Sequence, residues 1–388
     1  MPEETSLSHK RLVMYVIGFV FNLSYAIPTY ISSTFLAKIT SDSLVGIVYT
    51  ASSILAIAAF IEMPSLMRRF GNFKVTIALL ILEILSLAGL ITGRDTMVII
   101  SAFMLNFVTI ALINFTLDVF LEQFSNNGKT GRIRGSFLTI VSLAWLVAPL
   151  LSSVIFDGNE NFRDIYLVSG LLLIPVIALL VLNLRRVQAP VQNSIPFWKS
   201  FGKVWSDRNI KGVLLIQFLL QFFYAWMVIY TPLYLYETIG FDVYTVGIIF
   251  TIMLLPFVIL EGFLGRLADR IGEKIMLSVG FVIMGVSTGL IALITDNNAV
   301  VWTLVLFMTR IGAATVEVMA DTYFFKKVDA SNTDIISFFR TARPLAYVIG
   351  PILATLLFMV FDMRGLFVFL GLLMLYGLRY STTIDDVA

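Results

Sequence analysis

The sequence predicts an all-α integral membrane protein with twelve transmembrane helices in two pseudo-symmetric six-helix bundles. Three observations lead there. Of 388 residues, 59% are hydrophobic and only 13% charged, which is more apolar surface than a soluble domain can hide. The apolar residues fall in twelve runs, each close to the roughly 20 residues a helix needs to cross about 30 Å of hydrocarbon. Segments of the first half also recur in the second at an offset of 201 residues.

The runs lie near 11–37, 44–66, 73–93, 97–121, 132–156, 164–184, 209–237, 243–264, 274–295, 299–323, 333–359 and 362–379. They are apolar on every side, as helices among lipid and packed neighbours must be. They are too long, and too free of alternation, to be barrel strands. The chain has no cysteine, and its one histidine, His9, precedes the first run. Disulfides, thiol nucleophiles and thiolate metal sites are therefore excluded. The first run is too long for a cleaved signal, and no small-residue cleavage site follows it. A net charge of +2 without a basic domain argues against nucleic acid as a partner. Positive charge orients the chain. With both termini cytoplasmic, 20 Lys and Arg lie on the cytoplasmic side, against Lys38, Arg94, Arg163 and Arg364 opposite; Arg310, Arg340 and Arg343 fall inside helices. That bias predicts a multi-pass protein of the inner (cytoplasmic) membrane with both termini cytoplasmic.

Residues 185–208 form the only long polar connection and divide the chain at its midpoint. The expected domains are an N-terminal six-helix bundle, 1–184, a cytoplasmic linker, 185–208, and a C-terminal six-helix bundle, 209–388. Val45-Gly46-Ile47 matches Val246-Gly247-Ile248, and Arg69 and Gly71 match Arg270 and Gly272. A second block, Asp118 to Pro149, recurs one residue shorter from Asp321 to Pro351. Paired six-helix repeats are a feature of secondary transporters that rock around a midplane site.

Residues 265–274, "GRLADRIGEK", are a charged knot read as the short cytoplasmic loop between the second and third helix of the second half. Gly265 and Gly272 permit a tight turn and close helix approach, and Asp269 and Arg270 can bond neighbouring helix ends. Gly265, Leu267, Ala268, Asp269, Arg270, Gly272 and Lys274 resemble the signature loop of the major facilitator superfamily, G-x-L-A-D-R-x-G-x-K. Glu261 upstream resembles the acid of a longer form of that motif, with Phe263 in place of its proline. The resemblance covers essentially the whole chain and implies that fold, a secondary transport activity and a gating role for the loop. The first copy, "PSLMRRFGNF" at 64–73, departs from the pattern. Pro64 replaces the first glycine and Arg68 the aspartate, while Arg69 and Gly71 remain, so the gating acid carries over only to Asp269. The fifth helix also resembles the proline motif of proton-coupled exporters through Gly135, Ala144, Ala148, Pro149, Ser152 and Ser153. The eleventh repeats it as Ser337, Ala346, Gly350, Pro351, Ala354 and Thr355. Small residues at this spacing allow close helix approach and predict a hinge seam between the halves.

Ionisable residues inside membrane helices need a partner or a watery cavity. By the resemblance, the first, fourth, seventh and tenth helices line the central cavity. The fourth carries Asn106, Asn114, Asp118 and Glu122 on one stripe, and the tenth carries Arg310, Glu317 and Asp321 on one face. Asp118, Glu122 and Asp321, near the cytoplasmic ends, are expected to form gate ion pairs with Arg132, Arg134, Arg340 and Arg343. Asp118 or Glu122 is expected to bond Arg132 or Arg134 across the short loop between the fourth and fifth helices. Arg310 is the best cavity charge and suits a carboxylate or phosphate. Glu317 either neutralises it or carries a coupling proton, and Glu83 is either a second coupling site or an acid held by a neighbour. Asn22 and Tyr25 of the first helix, with Gln217, Gln221 and Tyr224 of the seventh, complete the expected cavity.

The leading expectation is a secondary active transporter of a small solute working by alternating access, a proton-coupled exporter by its paired proline motifs. The alternative is an uptake symporter or facilitator for a sugar or small organic anion. A transport-dead receptor on the same fold is a remoter reading, supported only by the degraded first loop. A membrane-embedded enzyme lacks any intramembrane histidine, cysteine or metal-ligand cluster. No cofactor beyond a proton gradient is expected. The expected partners are a small-molecule substrate and the lipid bilayer, with the chain acting as a monomer.

Overall fold

The computed structural model describes residues 2–29, 32–40, 42–124, 130–156, 162–185, 187, 202, 205–241, 243–329 and 332–385. Among them, twelve helices are long and apolar enough to cross a membrane. The first six spans are α1 Pro2–Thr29 with the short α2 Ser32–Ile39, α3 Asp42–Phe70, α4 Asn72–Thr92, α5 Thr96–Gln123, α6 Thr130–Phe156 and α7 Phe162–Leu184. The second six are α8 Arg208–Leu233, followed by a π-helical turn Tyr234–Thr238, then α9 Val243–Ile271, α10 Glu273–Ile291, α11 Ala299–Lys327, α12 Thr333–Phe358 and α13 Met363–Tyr376 with α14 Leu378–Thr383. Short polar residues start several of them. Asp95, Asp207, Asn298 and Asp362 accept first-turn N–H groups of α5, α8, α11 and α13, as N-caps do.

The charged knot is not a loop. Helix α9 runs through Ile271, and the link to α10 is Gly272 alone, at φ 81° and ψ 165°. Gly71, at φ 81° and ψ 154°, makes the same one-residue link between α3 and α4. An L side chain rarely adopts that backbone, so the degraded copy keeps the one residue the corner requires. Gly265 acts differently, inside a helix. A Cβ placed on it would lie 2.3 Å from the Gly131 carbonyl oxygen and 2.9 Å from Gly135 Cα. Backbone meets backbone where α6 crosses α9.

Contacts gather the chain into two units. One comprises Met1–Ser125, Leu143–Ser200 and Asp329–Pro344, and the other Asn126–Ser142, Phe201–Val328 and Leu345–Ala388. Each of α6 and α12 is thus shared between the units, dividing at Ser142/Leu143 and Pro344/Leu345, positions that correspond in the sequence repeat. The packing repeats too: α4 lies on α5 and α3 on α5 in the first unit, as α10 lies on α11 and α9 on α11 in the second. In the first unit, Ser337 Oγ of α12 donates to the Phe60 carbonyl of α3 at 2.5 Å. In the second, the repeat-equivalent Gly135 faces the carbonyl of Glu261.

Candidate substrate and coupling sites

In the second unit the polar cluster begins at Arg310 of α11, only 3% exposed. Its Cζ lies 5.4 Å from the ring centroid of Phe223 and 5.8 Å from that of Tyr224, both on α8, within reach of the ring quadrupoles. The Tyr224 hydroxyl donates to Glu317 Oε2 at 2.6 Å. One tyrosine therefore joins the cation and the acid that α11 places two turns apart. Gln217 and Gln221, buried on α8, precede Tyr224 at helical spacing and share its face. Glu261 of α9, 1% exposed, accepts a hydrogen bond from Ser142 Oγ of α6 at 2.9 Å. It lies close enough to Glu317 and Asp321 for their charges to interact. Arg134 of α6, fully buried, pairs with Asp321 Oδ2 at 3.6 Å and stacks 3.3 Å from the Phe325 ring centroid. At the start of α10, buried Glu273 pairs with Lys326 at 2.8 Å.

In the first unit, Tyr25 O–H donates to Asn22 Oδ1 at 2.6 Å. Asn114, Trp145 and Arg343 surround the same hydroxyl, so three of the expected cavity residues meet at one point. Asp118 pairs with Arg340 Nε at 2.5 Å. Higher in α4, Glu83 is 2% exposed. Its Oε1 accepts Asn106 Nδ2 at 2.7 Å, and its Oε2 accepts Thr109 Oγ1 and Ser86 Oγ. A buried carboxyl group thus sits among neutral donors that tie α4 to α5.

Several expectations change here. The sequence expects Asp118 or Glu122 to bond Arg132 or Arg134 across the α5–α6 connection, and Arg132, Arg134, Arg340 and Arg343 to serve Asp118, Glu122 and Asp321 as gate partners. The structure pairs Asp118 with Arg340 of α12 and Arg134 with Asp321 of α11. Asn106 leaves the fourth-helix stripe to hold Glu83. Arg343 joins Tyr25. Of the small residues, Gly135 meets α9, and Ala144 and Ala148 pack with Leu23, Ala26 and Ile27 of α1 and Ile165 of α7. Gly350 accepts Trp226 Nε1 of α8 at 2.9 Å. Arg69 and Arg270 are exposed. The side chains of Asp269 and Pro149 lie outside the described residues. Glu122, partly buried, lies in the last turn of α5, and Arg132, exposed, lies in the first turn of α6. Pro351 follows Gly350 in α12. Glu261 and Glu273 were absent from the expected site. Glu261 carries the signal that singles out Glu83, an acid within an apolar run, and in the sequence it reads as part of the adjoining loop motif.

The sequence model of the Major Facilitator Superfamily matches residues 14–247 and 213–381. The chain belongs to that superfamily. No curated protein sequence matches it. Its fold is similar to the crystal structure of the human organic anion transporter MFSD10 (TETRAN), with a TM-score of 0.77, and to that of a variant of the E. coli fucose:proton symporter FucP, with a TM-score of 0.74. Each is 14% identical, and each likeness covers 98% of this chain and 100% of the other, which establishes the fold. As a superfamily member with twelve spans, the protein is a multi-pass membrane protein of the transporter class.

Proposed function

We propose that this superfamily member is a secondary active transporter that moves a small organic anion by alternating access, coupled to protons. The observation that carries the reading is the Arg310–Tyr224–Glu317 group. A buried guanidinium costs several kcal/mol or more inside a bilayer unless a partner or an anion attends it, and it presents a planar fork suited to a carboxylate. Glu317, linked through Tyr224, can trade its partner for a proton when substrate takes the cation. Gln217 and Gln221 supply neutral contacts on the same helix face. The organic anion transporter among its structural relatives is consistent with this substrate class. The paired proline motifs of α6 and α12 favour export. Both termini lie on the cytoplasmic side of the inner membrane, an orientation supported by the charge bias, and the chain acts as a monomer. Asp269 serves the gate.

Proteoliposomes test this directly. Labelled small carboxylates and neutral sugars are offered with and without a pH gradient. The reading expects gradient-dependent movement of a carboxylate that Arg310→Ala abolishes, while Asp269→Asn slows transport without preventing membrane insertion. Movement of neutral sugars alone, unaffected by Arg310→Ala, would reject it.

A further inference from the structure

A cavity of about 220 Å³ lies in the first unit where α3 meets α4, lined among others by Phe70, Asn72, Lys74, Gln123 and Arg185. It is smaller than the roughly 300–1,000 Å³ of sites for drug-sized ligands and suits a head group or a compact anion. The start of α4 forms one wall. Its N-cap, Gly71, brings no side chain to the free N–H groups, and such a helix start favours anions. Lys74 and Arg185, both exposed, add two cations.

The independent sign of a ligand is a pair of buried amides. Asn72, 1% exposed, donates its Nδ2 to the Thr116 carbonyl at 3.1 Å, yet its Oδ1 has no partner. Neither amide atom of Gln123 has a partner, although both are buried. Buried polar groups are rarely left unmet in folded proteins. The N–H groups and cations call for an anion; the amide oxygens call for donors on the same molecule. We propose that this cavity binds a phosphoester bearing hydroxyl or ammonium groups, its phosphate at the start of α4 between Lys74 and Arg185 and its donors on Asn72 and Gln123. Phospholipid head groups and soluble phosphoesters share that chemistry, and Phe70, 46% exposed, adds an apolar edge.

The second half shows the same corner built for another purpose. Glu273 follows Gly272 as Asn72 follows Gly71, but it is an acid already paired with Lys326 at 2.8 Å, and it would repel a phosphate.

The test uses the full chain extracted from vesicles of equal parts phosphatidylglycerol and phosphatidylcholine, the latter having a phosphate but no donors. Native mass spectrometry counts bound lipid, and glycerol 3-phosphate is added in a parallel arm. The expected result is selective retention of phosphatidylglycerol, or binding of glycerol 3-phosphate, weakened about tenfold in Lys74→Ala/Arg185→Ala, as loss of charge-assisted contacts would give. Gln123→Leu, which leaves the charges in place, should weaken it too. Phosphatidylglycerol that resists displacement assigns a lipid site, and displacement or binding of glycerol 3-phosphate assigns a soluble ligand. Lipid retention without selectivity and no variant-sensitive binding of glycerol 3-phosphate would overturn the proposal.

Discussion

Gly265 and Gly272 belong to one short motif and act by different physics. Gly272 supplies a left-handed backbone corner, and Gly265 supplies room for α6. Replacing a helical glycine with alanine normally favours the helix by roughly 1 kcal/mol, and Gly247 of α9, with nothing within 4 Å of a placed Cβ, should follow that rule. At Gly265 the Cβ would meet backbone at 2.3 Å, so the sign reverses. Gly265→Ala should lower the thermal unfolding midpoint of the detergent-solubilised protein, Gly272→Ala should lower it through strain of about 1–3 kcal/mol, and Gly247→Ala should leave it equal or higher. A Gly265→Ala midpoint matching that of Gly247→Ala would remove the close crossing. At this scale the sequence was legible where a residue is anomalous for its surroundings. Arg310, Glu317 and Glu83 stand out because charge in an apolar run is rare. Their partners did not stand out, because nothing local marks Asn106 as the donor to Glu83 or Tyr224 as the donor to Glu317.

Helices rather than residues decide where the ion pairs fall. Asp118 and Asp321 correspond in the repeat, and each reaches an arginine of a helix that divides between the two units, Arg340 of α12 and Arg134 of α6. The twelve helices were readable from length and hydropathy, and the repeat from matched residues. The way α6 and α12 divide was not readable, because it depends on which neighbour each half of a uniformly apolar helix meets. Buried pairs of this kind give a clear expectation. Removing one partner strands the other, at about 3–5 kcal/mol, whereas replacing both with apolar residues of similar size is close to neutral. Asp321→Ala should therefore sharply lower the unfolding midpoint, and Arg134→Met/Asp321→Leu should recover most of the loss. Additive losses in the double variant would show that the two side chains are not coupled.

At the scale of the molecule the proposal is a carrier whose driving ion and substrate compete for one charged group in the second unit. The superfamily and the fold follow from the whole chain, from its hydropathy, its repeat and its motif. The substrate class rests on Arg310, Tyr224 and Glu317 alone, and a sequence shows such a trio only as residues scattered over two helices. Glu317→Gln tests the claim most directly, because it removes the exchangeable proton while keeping the size and hydrogen-bonding capacity of the side chain. The measurement compares gradient-driven accumulation with downhill exchange of the same labelled organic anion in proteoliposomes. The account predicts that Glu317→Gln abolishes pH-gradient-driven accumulation while retaining exchange. Full accumulation in that variant would contradict it.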